Sequence, residues 1–233
     1  MRIIVGCERT GVVRDALRRR GHEAFSCDLE GIEPGGEFPE FHIFGDVLGH
    51  IGAGWDLGIF FPDCTYLTNS AAWAFADPDY ERYPGVGYHQ QVKPGTLVGA
   101  DRREARGAAV TFVRALWASP IPKVAIENPR GFLSTFWREA DQTIHPPQFG
   151  DDASKATCLW LKNLRRLRPT GWASPRIDNL PLFGGAGARP RWANQTDSGQ
   201  NRLSPSDDRA MLRAGTYPGI GEAMAEQWAG SIK

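Results

Sequence analysis

The chain has 233 residues, 27 Lys plus Arg against 27 Asp plus Glu for a formal charge of zero, and 41% hydrophobic residues that include 8 Trp and 12 Phe. This composition excludes global disorder, supplies a core without disulfides or metal, and suits one domain with at most a small appendage. No stretch approaches the roughly 18 apolar residues of a membrane span, and the opening apolar run is too short for a signal peptide, so a cytoplasmic, monomeric protein with no membrane partner is expected.

Residues 2–7 (RIIVGC) read as a short buried strand, and Val12, Val13, Ala16 and Leu17 follow at helical spacing until Gly21. Residues 23–28 make a second strand ending at Asp28, residues 41–46 a third ending at Asp46, and residues 56–61 a buried strand running into Pro62-Asp63-Cys64. The stretch 101–117 is helical, and 123–127 is a strand leading into Asn128-Pro129. Strands alternating with helices imply an α/β fold with a mostly parallel sheet, whose ligands bind beyond the carboxyl ends of the strands. The residues placed there are Glu8, Asp28, Asp46, Cys64, Glu127 and Asn128.

Between Cys64 and the helix near Asp101 lies a long segment rich in aromatics, Gly and Pro, which reads as a lid or binding loop. Residues 162–192 carry seven basic side chains (Lys162, Arg165, Arg166, Arg168, Arg176, Arg189, Arg191) against Asp178 alone, a polyanion-binding pattern in a neutral chain. Ser204 and Pro205 start another helix, and a turn at 216–219 leads into a last one over 221–229.

The four cysteines are far apart, without a C-x-x-C pair or histidines at ligand spacing, so no metal site is expected. Cys7, Cys27 and Cys158 read as small buried residues inside strands, and His22 as an ordinary residue of a helix-to-strand turn. Cys64 differs, because a thiol just past a buried strand and behind a proline is placed as a nucleophile. Glu127-Asn128 follows the next strand and would lie beside it. A thiolate next to a carboxylic acid fits attack on carbon 6 of a pyrimidine, with the acid acting on ring nitrogen 3.

These residues resemble, in order along nearly the whole chain, the DNA (cytosine-5) methyltransferases, and more closely the compact phage and prophage members of that superfamily. Residues 3–17 (IIVGCERTGVVRDAL) are similar to the first motif, with Gly6, Glu8 and Gly11 at the cofactor turn. Asp28 with Leu29 matches the position that holds the cofactor ribose, and Asp46 with Val47 the one that reaches its adenine. Pro62-Asp63-Cys64 stands where the family has Pro-Pro-Cys, and Glu127-Asn128 where it has Glu-Asn. Arg202-Leu203-Ser204 resembles a late arginine motif, and Gly219-Ile220-Gly221-Glu222-Ala223 the last motif, which closes the cofactor pocket.

The family's Gln-x-Arg-x-Arg segment has its nearest counterpart in 148–157, where Lys155 takes an arginine's place beside the target base. Asp63 for proline and Ile220 for asparagine are further departures.

The resemblance implies a Rossmann-like S-adenosylmethionine-dependent methyltransferase fold. Residues 1–160 and 202–233 would form the catalytic domain and 161–201 a very small target-recognition region gripping DNA. It implies S-adenosyl-L-methionine as cofactor, double-stranded DNA as partner, and methylation of carbon 5 of a flipped cytosine through a Cys64 adduct. Two further readings share these residues. One is carbon-5 modification of RNA or a nucleotide, and the other is a nucleic-acid-binding paralogue without activity. Thymidylate-synthase-like chemistry also uses a Pro-Cys thiol, but the glycine turn with Asp28 and Asp46 favours a nucleoside cofactor.

Overall fold

In a computed structural model of the chain, residues 1–69, 71–176, 190–202 and 215–231 are described. β1 (Arg2–Gly6) is buried from Ile3 onward, as an apolar run covered on both faces must be. It turns through Gly11, left-handed at φ 72°, into α1 (Val12–Arg19), then β2 (Glu23–Asp28), a short β3 (His42–Phe44) and β4 (Leu57–Phe60). After the long segment come α2 (Gly99–Ala118), β5 (Lys123–Pro129) and a short α3 (Phe132–Phe136). Next are β6 (Gln142–Ile144), β7 (Thr157–Lys162) and α4 (Pro218–Met224), which continues as a π-helical turn over Ala225–Ala229.

The described strands form one sheet in the order β3-β2-β1-β4-β5-β7-β6, parallel except for β7, which runs antiparallel to both neighbours. The protein is thus α/β with a mostly parallel sheet, compatible with a Rossmann-like fold. Strand order reverses between β1 and β4, which opens a crevice beyond their carboxyl ends. β1 feeds two cores through its alternating side chains. Ile3 and Val5 join Leu17 of α1 and Ile220 and Met224 of α4, whereas Ile4 joins Val113 and Leu116 of α2 on the other face.

Several elements differ from the sequence expectation. β3 is only three residues long because a 3-10 turn over Pro39–Phe41 precedes it and Asp46 caps another over Val47–Gly49. The β6–β7 pair is new, since strand–helix alternation carries no signal for a reversed strand. α4 starts at Pro218, earlier than residue 221, because proline at the first helical position gives up no hydrogen bond. Cys27 and Cys158 are buried in strands as expected, but Cys7 lies one residue past β1, half-buried and at a positive φ of 59°. His22 sits in its turn, buried, with its ring bonded to the Gly230 carbonyl at 2.7 Å. Leu164 and Leu167 pack into the core with α4. Arg189, Asp178, Leu203 and the helix expected from Ser204 lie outside the described residues.

Candidate functional site

The carboxyl edge of the sheet gathers most of the expected residues. Gly6 ends β1 where a methyl group would lie 2.6 Å from the Phe60 ring and 2.7 Å from buried Val47, so close strand and turn packing requires glycine. Cys7 follows. Burial raises its thiol pKa first, and then Asp28, Cys27, Asp46 and Asp63 act in the same direction. Asp28 and Asp46 each turn one oxygen to a backbone amide, of Glu30 and Leu48, both at 2.9 Å. Their second oxygens have no bonded partner among the described residues. Leu29, beside Asp28, leaves 70% of its surface in solvent.

Glu8 is used differently. Its buried carboxyl accepts from the Val13 and Arg14 amides at 2.7 and 3.3 Å and so caps α1 from within. Burial pushes it up to about 7 against the pull of those amides. Glu222 reaches across to α1, paired with Arg19 and with Arg20 at 2.5 Å, and lines a side cavity of about 260 Å³ with Thr10 and Gly36. Ala223 is sealed in the core at 1% exposure, with no surface to offer a ligand.

Cys64 lies past the end of β4 and Glu127 near the end of β5, paired neighbours with Phe60 opposite Ile126. The buried Asn128 amide donates to the Pro62 carbonyl at 2.8 Å, tying the two strand ends together. Its own carbonyl oxygen is buried without a partner among the described residues. A second tie lies deeper. Phe132 donates its amide to the Leu67 carbonyl at 2.8 Å, and Thr68 bridges Gly131, where a methyl group would sit 2.3 Å from Leu67 O. The Cys64 loop and the loop after β5 are therefore joined at two places.

Lys155, just before β7, lies 3.8 Å from the Glu127 carboxylate and donates to the Gly215 carbonyl at 3.2 Å. Asn194 holds the neighbouring Ser154 by both backbone groups, at 2.8 and 3.1 Å. Burial raises the Glu127 carboxyl, and Lys155 and the Thr157 hydroxyl pull it back. Burial also raises Cys64, followed by Asp63 and Glu127, and Lys155 opposes them. Asp63 is exposed and turns its carboxylate outward to the Thr65 amide and hydroxyl, at 3.0 and 2.8 Å. It shapes the turn, which gives this departure from Pro-Pro-Cys a local role.

Sequence reading missed the clamp on this loop. Arg102 and Arg106, one turn apart on α2, donate to the consecutive carbonyls of Thr65 (3.3 Å) and Tyr66 (3.0 Å). Both guanidinium groups lie over the Phe75 ring, and Arg106 also covers Phe132 at 4.2 Å. The i, i+4 arginine spacing was visible, but nothing in the sequence named its target. The long segment is strapped to the same helix, with Arg103 bound to Phe75 O and Asp77, and Trp73 packed edge-on against Tyr88.

The basic residues divide. Arg176, Arg191 and Arg202 knit residues 190–202 together through Gln195 and Asp197, close to Ser154 and the crevice. Arg165, Arg166 and Arg168 lie past the end of β7, whose Lys162 pairs with Val124 at the amino end of β5, and so occupy the opposite edge of the sheet. Among the described residues, no group of three or more His, Cys, Asp or Glu is placed to hold a metal ion, and no helix is long and apolar enough to cross a membrane. No protein-family model matches the chain, and no curated protein matches it.

Proposed function

We propose that the protein transfers a methyl group from S-adenosylmethionine to carbon 5 of a cytosine in DNA. The observation that carries this reading is that Cys64 and Glu127 lie at the ends of adjacent strands joined through Asn128 and Pro62, with Lys155 beside Glu127. Cys64 bonds to carbon 6 of the ring, and the Glu127 carboxyl, whose proton affinity burial raises, donates to ring nitrogen 3. Lys155 favours the thiolate that attacks. Once carbon 5 carries the methyl group, its proton passes to solvent, the ring double bond re-forms as the Cys64 thiolate leaves, and the nitrogen 3 proton returns to Glu127.

The cofactor fits the other half of the crevice. Asp28 and Asp46 keep one acceptor oxygen each for ribose and adenine, and Leu29 offers an apolar wall. When bound, S-adenosylmethionine supplies an electrophilic methyl group. The test is incubation with labelled S-adenosylmethionine and duplex DNA. Cys64→Ser should abolish transfer while S-adenosylhomocysteine still binds by calorimetry, and retention of more than about a tenth of the wild-type rate moves the nucleophile elsewhere.

A further inference from the structure

Residues 163–168, the turn after β7, are held by side chains from several directions. Asn163 donates to the Pro122 carbonyl at 2.8 Å. Gln142 exchanges bonds with the amide and carbonyl of Leu167, and Gln227 with those of Arg168, all at 2.8 Å. Trp228 donates to the Arg165 carbonyl at 2.9 Å, and Leu167 anchors the turn at 2% exposure. The backbone is fixed while Arg165, Arg166 and Arg168 stand exposed, and none of their guanidinium groups makes a hydrogen bond or ion pair among the described residues. They rim a cavity of about 570 Å³ whose lining contains one acid, Glu226.

We infer that this cleft is a second nucleic-acid site, binding the phosphate backbone at the edge of the sheet opposite Cys64. Arginine forks match phosphate oxygens in pairs, and here they are pre-positioned without internal partners to displace. Glu127 and Lys162 stand three rows apart on the β5–β7 ladder, about 10 Å along the strands. The turn lies beyond, so a phosphate at Arg166 is farther from Cys64 than the roughly three base-pair rises that this spacing spans. The choice of nucleic acid over another polyanion rests on the methyl-transfer reading, but the cleft itself does not.

The experiment compares wild type, the triple Arg165→Gln/Arg166→Gln/Arg168→Gln variant and the corresponding triple Lys variant as full chains, with thermal melts to verify folding. For a duplex of about 30 base pairs titrated between about 50 and 200 mM salt, the Gln variant should lose about three units of log–log slope and the Lys variant should keep most of it. A heparin octasaccharide that saturates the wild-type protein should leave iodoacetamide labelling of Cys64 unchanged. A wild-type slope in the Gln variant, heparin protection of Cys64, or heparin binding without duplex affinity would each overturn the inference. Neither readout depends on methyl transfer, so a failure here is distinct from a failure of the proposed activity.

Discussion

Lys155 is the charged neighbour that draws the Cys64 thiol down, while burial, Asp63 and Glu127 push it up. Replacing Lys155 with Met removes that pull, so the thiol's pKa rises further and less thiolate is present at a given pH. Iodoacetamide labelling of Cys64 should shift to higher pH and slow about threefold or more at pH 8, as expected for a lost neighbouring charge in a partly desolvated site. An unshifted profile would show that the ammonium does not act on the thiol. Glu127→Gln keeps the shape of the side chain and removes its acid. Turnover at neutral pH should fall by about two orders of magnitude or more, within the range of general acid contributions. A wild-type rate would take the proton donor away from this residue.

Among the elements, α2 sets the geometry of a site to which it contributes no reacting group. Arg106→Met loses the bond to Tyr66 O and the stacking on Phe75 and Phe132, and should cost about 1–3 kcal/mol in urea unfolding. Turnover should drop about tenfold with unchanged cofactor affinity, and Arg106→Lys should not restore it, because an ammonium lacks the planar fork. Rescue by lysine would reduce the clamp to a simple charge. The elements themselves were legible to different degrees. β1, α1, β2, β4, α2 and β5 announce themselves by apolar runs or helical spacing, and each strand end delivers its acid or thiol to one edge. β7 was hidden because the run Thr157–Lys162 does not disclose its direction, and that direction sends Arg165, Arg166 and Arg168 away from the crevice. Glu8 was similarly ambiguous. Its place after β1 is shared by a cofactor ligand and a helix cap, and only the distances to Val13 and Arg14 identify the capping contact.

At the scale of the whole molecule, buried carboxyls at the carboxyl edge tie folding stability to pH. Glu8, 4% exposed, is pushed up to about 7 from its ordinary 4.5 by burial. The folded state then binds this proton more tightly than the unfolded chain, so the associated stability is complete below about pH 4.5 and is lost as pH rises through 7. The difference is on the order of 3 kcal/mol, and raised Glu127 acts with the same sign. Glu8→Gln cannot ionise, and its amide oxygen still accepts from one of the two α1 amides. At pH 5 the variant should melt below wild type, having lost one capping bond. Between pH 5 and 8 the difference in melting temperature should move in its favour by about 5 °C or more, on the scale that links stability to melting temperature for a chain of this length. Parallel melting curves across that interval would mean that the carboxylate is held at little cost and that α1 carries its charge unaided.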